Sequence, residues 1–100
     1  MTARIAIDRV KIAEFCRRRH VRKLSVFGSV LDDNFRPDSD VDVLVEFEAG
    51  HPVGLIRMAG LERELSEIVG RTVDLRTPAE LSRHFRQEVV ESAEVLYVEP

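Results

Sequence analysis

The chain has 100 residues, 15 of them Lys or Arg and 18 Asp or Glu, for a net charge of -3. That length predicts one domain with one core and leaves no room for a second large substrate domain, and the acidic balance argues against direct nucleic-acid binding. A lone cysteine, Cys16, excludes a disulfide framework or a Cys-rich zinc site. No apolar run is long enough to span a membrane, and residues 1–9 lack a signal-peptide core, so the expected compartment is a reducing cytoplasm.

Asp8 is the expected N-cap of a helix over residues 9–19, with Ile12, Ala13, Phe15 and Cys16 on its apolar side. Arg17, Arg18 and Arg19 fall in its last turn, where cations suit the helix dipole. His20 stands where a helix-ending glycine is often found. The basic run continues to Arg22 and Lys23; it reads as a solvated helix end, with contact to an acidic partner or to phosphates as the functional alternative. Residues 23–27 read as a strand, broken by Gly28-Ser29, after which Ser29, Val30 and Leu31 begin a short helical turn. Residues 32–39 are a polar loop in which Pro37 forbids regular structure.

Residues 41–47 alternate as a second strand. Val41, Val43, Val45 and Phe47 take the core face. Asp40 and Asp42, spaced by two, project together on the other face, with Cα atoms about 6–7 Å apart. Residues 49–52 turn, and from Val53 to Val69 the period becomes helical: Leu55, Met58, Leu61, Leu65 and Ile68 form one apolar stripe, stopped by Gly70. Residues 71–76 are a third strand, with Val73 and Leu75 inward and Asp74 outward. Thr77-Pro78-Ala79-Glu80 combines a capping box with Pro at the first helical position. Helical segments are expected to about Glu91 with a break near Leu81, then a last short strand over 94–98. The alternation predicts an α/β (α+β) fold, a sheet layered against helices.

Two carboxylates on one strand face repel, and a divalent cation removes that cost. If the second and third strands are neighbours, Asp40, Asp42 and Asp74 make a three-carboxylate site suited to Mg2+. Two such ions could clamp an in-line displacement at phosphorus, one on a triphosphate and one on the attacking hydroxyl. Gly28 lets the backbone approach a phosphate, and Ser29 offers a hydroxyl and an amide at a helix start. Together these parts describe nucleotidyl transfer. Asp38, Asp40 and Asp42 also match the first ligands of an EF-hand, but Val43 and Ala49 stand where its Gly and Glu are required. His20, His51 and His84 are scattered, with no helical pair for zinc, and read as surface or loop histidines. Asp32 and Asp33 read as solvated loop acids, and Arg36 as a phosphate ligand or a loop cap. A bland alternative has the aspartates paired with Arg36 and Arg76.

Phe27-Gly28-Ser29, then ten residues, then Asp40-Val41-Asp42, with Val73-Asp74-Leu75 beyond, resembles the minimal nucleotidyltransferases of the DNA polymerase beta superfamily. The resemblance runs through the Phe35-Arg36-Pro37-Asp38-Ser39 lead-in, the helix over 54–70 and the closing Ala93-Glu94-Val95-Leu96-Tyr97. It implies a polymerase-beta-like core of small mixed sheet and flanking helices. It also implies Mg2+, two ions by the displacement chemistry above, and a nucleoside triphosphate, usually ATP. Many such proteins are antitoxins paired with a HEPN-type ribonuclease toxin, and the resemblance implies AMP transfer to a toxin tyrosine. Gly28 and Ser29 would then hold the triphosphate, Asp40 and Asp42 the metal, and Asp74 would complete the site near the acceptor hydroxyl. Two positions depart from the pattern: Val30 stands where many members have Arg, and Asp32 where relatives are often basic. Neither touches the three acids. The competing readings are an antitoxin that blocks its toxin by contact alone, and a nucleotidyltransferase acting on a small molecule.

Overall fold

Asp8 opens the first helix by taking hydrogen bonds from the amides of Val10 and Lys11, 3.1 Å each. The helix, α1 (Arg9–Arg18), ends in a turn at His20, which sits in the left-handed region at φ 59°. The computed structural model describes residues 5–32, 35–51 and 53–100. Asp33 lies outside them, and so does Pro52 of the expected turn. After α1 come β1 (Val21–Phe27), a 3-10 turn (Gly28–Leu31), β2 (Val41–Phe47), α2 (Leu55–Val69), β3 (Val73–Arg76), a second 3-10 turn (Pro78–Glu80), α3 (Arg86–Ser92) and β4 (Glu94–Val98).

The four strands form one mixed sheet in the order β3-β2-β1-β4. β1 runs antiparallel to both β2 and β4, and β2 runs parallel to β3. The parallel pair needs a crossover, and α2 supplies it. Expected and observed elements agree in kind. β1 starts two residues early because Val21 pairs with Phe47 across a bulge between Val21 and Lys23.

One sheet face is the core. Leu24, Val26, Val41, Val43, Val45, Val73 and Leu75 meet Ile12, Phe15 and Cys16 of α1 and Leu61 and Leu65 of α2. Full burial of such side chains is worth about 1.5–3 kcal/mol each, before the entropy of ordering them. The helical stripe is not buried throughout. Leu61 and Leu65 are, and Met58 and Ile68 pack on the cluster, but Leu55 is 89 % exposed. Leu55 is the first residue of α2, beyond the edge of the sheet's cover, so matching the helical period does not bury it.

Three members of the basic run pair within the fold. Arg18 and Arg19 both donate to Glu64 of α2, at 2.8 Å, and Arg22 pairs with Glu46 of β2. Burial acts to raise the Glu64 carboxyl, but the two guanidinium hydrogen bonds outweigh it and hold the group below its ordinary value. The Thr77–Glu80 capping box forms, yet it closes only a single 3-10 turn. Leu81 leaves it extended, and α3 starts separately after a turn in which Phe85 and Arg86 donate to the Ser82 carbonyl.

Candidate active site

The other sheet face carries the acids. Residues paired across strands share a face, so the register sets Phe27, Asp42 and Asp74 in one row across β1, β2 and β3. The next row is Ser25, Leu44 and Arg76. Asp40 lies just before β2, exposed, while Asp42 and Asp74 are half-buried. The parallel pairing thus sets Asp42 beside Asp74, two acids that the sequence separates, with Asp40 at the entry to β2.

Asp42 is half-buried and feels both of the other acids. Burial pushes its carboxyl above the usual aspartate range, and Asp74 pushes the same way; Arg76 pulls it back, and Asp40 raises it again. Arg76 donates to Asp74 at 3.2 Å, so one of the arginine pairings considered for the aspartates does occur. One exposed guanidinium cannot offset three carboxylates. The site retains an excess of hard oxygen donors at an electrostatic cost, and carboxylate oxygens are the donor chemistry that suits Mg2+; the three aspartates are not a group whose ligand atoms all lie within 4.8 Å of one another.

Gly28 is fixed by two independent demands. Its φ is +75°, where side chains are strained, and a Cβ added there would lie 2.5 Å from the Asp42 carboxylate oxygen Oδ2. The Gly-Ser turn is therefore pressed against the central acid. Ser29 follows, half-buried, and its carbonyl accepts from the Asp32 amide at 3.0 Å, closing the turn. Beside Gly28 opens a cleft of about 380 Å3, walled by Phe27, Leu31, Phe85 and Val89, with Asp32 and Glu88 at its polar edge.

The two departures from the family pattern land differently. Val30 is fully buried and belongs to the core. Asp32 lines the cleft beside Gly28.

Arg71 and Glu62 carry no motif, yet both hold the site in place. Arg71 donates to the carbonyls of Arg36 and Pro37, at 3.4 and 3.1 Å, and its guanidinium stacks 4.8 Å from the centre of the Phe35 ring. It ties the loop leading into Asp40 to the start of β3. The Arg36 amide donates to the Ser39 hydroxyl at 3.0 Å, so the Ser39 side chain caps the loop. On the outer edge of β3, the amide of Val73 donates to Ser66 Oγ at 3.0 Å and that of Leu75 to Glu62 Oε2 at 2.8 Å. The strand bearing Asp74 is thus held on one side by β2 and on the other by side chains of α2. An i, i+4 pattern of polar residues facing a later strand was the available signal, but it has meaning only once the crossover is known.

Comparison with known proteins gives a consistent result. The model of the nucleotidyltransferase domain family matches residues 9–97. Protein adenylyltransferase MntA of Thermococcus cleftensis is 36% identical over 85 residues, covering 85% of this chain and 82% of that protein. Among solved structures, a toxin-antitoxin with AMP-PNP superposes with a TM-score of 0.73 at 22% identity, over 93% of this chain and 75% of that one. A complex of a tri-AMPylated Shewanella oneidensis HEPN toxin with its MNT antitoxin gives 0.65 at 22%, over 91% and 70%. At that identity the two structural likenesses establish the fold.

Proposed function

This chain belongs to the nucleotidyltransferase domain family, and on that footing we propose that it transfers AMP from ATP to a hydroxyl, on a tyrosine, of a cognate HEPN ribonuclease toxin and so neutralises it. The observation that carries the reading is the row Asp42–Asp74 with Gly28 pressed against the Asp42 carboxylate. In this reading it would serve as a triphosphate turn beside an acid cluster on one sheet face. The protein-acceptor reading draws support from the adenylyltransferase relative, and the toxin from the two complexes that share the fold.

In this reading Asp40, Asp42 and Asp74 hold Mg2+, as two ions. Bound there, Mg2+ would neutralise the carboxylates and the triphosphate charge. Gly28 and Ser29 hold the triphosphate through the turn. Asp74, braced by Arg76, stands on the edge-strand side and orients the acceptor hydroxyl. The hydroxyl oxygen bonds to the α-phosphorus, the bond to the bridging oxygen breaks, and pyrophosphate leaves in line. The hydroxyl proton passes to solvent or to a site carboxylate. Asp32 lines the cleft where relatives are often basic, and in this reading the partner could lend a cation to the phosphates.

The test is intact-mass analysis of the candidate toxin after incubation with this protein, Mg2+ and ATP. We expect mass gains of whole AMP units, absent with Asp40→Asn/Asp42→Asn. A stable complex with no mass gain would replace catalysis by steric neutralisation.

A further inference from the structure

At the end of the β1–β2 hairpin away from the acids, three side chains with metal-binding atoms meet. His20 precedes β1, Glu48 follows β2, and His51 lies in the turn after it. The sequence separates His20 from His51 by the whole hairpin, which is why they read as scattered surface histidines. The pairing of Val21 with Phe47 puts His20 opposite Glu48, and the Glu48 amide donates to the His20 carbonyl at 2.9 Å. The His51 amide donates to the Glu48 carbonyl at 3.2 Å. Their side chains converge as a result. His20 Nδ1 is 3.6 Å from Glu48 Oε1, and the two imidazoles stack with centroids 3.9 Å apart and planes 7° from parallel. One ligand atom from each residue lies within 4.8 Å of the others.

We propose that His20, Glu48 and His51 form a second cation site, for an imidazole-preferring divalent ion of the Zn2+ type. Two imidazole nitrogens and one carboxylate oxygen are a known Zn2+ donor set, with the fourth position left to water. Bonds of about 2.0–2.1 Å in a tetrahedral shell require donors roughly 3.3 Å apart. The donors start within 4.8 Å, and the His20 side chain is 51% exposed, so tilting the rings out of their stack closes the gap. The backbone is already set: His20 is held in the left-handed region at the helix end, and the two amide bonds lock Glu48 and His51 to it. Ligand chemistry separates this site from the acids, because Mg2+ prefers carboxylate and water while Zn2+ accepts imidazole. Distance separates them too: Asp42 and Glu48 are six residues apart along β2 and its exit, roughly 20 Å. A bound ion would fasten the α1–β1 turn to the β2–α2 turn and brace the hairpin beside its bulge.

The experiment is Zn2+ titration of the tag-free protein against a coloured competing chelator, in excess Mg2+, with side-chain imidazole NMR signals followed in parallel. We expect one equivalent bound by the wild type, by Asp40→Asn/Asp42→Asn and by His84→Ala. His51→Ala and His20→Ala should each weaken binding by about tenfold or more. In the wild type, the His20 and His51 signals should move together while those of His84 stay. The proposal is overturned if Zn2+ uptake is undetectable, if it survives in His20→Ala/His51→Ala, or if it is lost on removing the site acids instead.

Discussion

Gly28 and Asp42 constrain each other, and each can be tested alone. A Cβ at residue 28 meets both a left-handed backbone and the Asp42 carboxylate. Gly28→Ala should cost about 1–3 kcal/mol of stability, read by denaturant unfolding. By displacing the central acid it should slow transfer by roughly 100-fold. Asp42 predicts the opposite sign for stability. Its raised carboxyl means that, without metal, the folded state binds more protons than the unfolded one between the ordinary aspartate value and the raised one. The stability that this proton contributes is present below that window and is lost as pH rises through it. Asp42→Asn should therefore raise the metal-free Tm at neutral pH by a few degrees, flatten this acid-side dependence and abolish transfer. A Tm that falls at neutral pH would show that the carboxylate is instead satisfied in the fold. Both residues were legible beforehand, because strand alternation and a Gly-Ser break are local signals. Arg71 was not: its targets are the carbonyls of Arg36 and Pro37, and nothing near Arg71 in the chain announces them.

β3 is an edge strand, and edges with free amides invite pairing with other chains. Here α2 covers the edge with Ser66 and Glu62. Glu62→Ala leaves the Leu75 amide without its acceptor and should cost about 1–3 kcal/mol. Glu62→Gln, which keeps an acceptor oxygen, should recover most of the loss. Equal unfolding midpoints for Glu62→Ala and wild type would refute this role. The elements themselves were largely readable, since each rests on a periodicity or a cap. What escaped was where an element meets the rest. The Leu55 position matches the stripe but lies beyond the sheet. The capping box at Thr77 is satisfied by one turn, so it marks a helix start without fixing a helix length. The separate start of α3 depends on the Ser82 turn, with Arg86 donating to the Leu81 carbonyl at 3.1 Å.

Taken whole, the sheet has its main core under α1 and α2 on one face and the acids on the other, where Ser25 and Leu44 are also buried, with the acids at one end of the central hairpin and the histidines at the other. Among the described residues no helix is long and apolar enough to cross a membrane. The covered face reports global opening through Cys16, which is fully buried and whose thiol is pushed up to about 12 by burial, against Arg17. Native protein should react with a thiol reagent orders of magnitude more slowly than denatured protein. Rapid native labelling would mean that α1 detaches on its own. The sequence order of the acids has a further consequence, for synthesis. Asp40 and Asp42 belong to a hairpin that can close from neighbouring residues as soon as β2 emerges. Asp74 arrives only after α2 has been made and has carried the chain back to lie parallel to β2. Long-range parallel pairing is the slow kind. A nascent or partly unfolded chain therefore holds two of the three carboxylates with no third, and the complete set exists only in a chain whose crossover has docked.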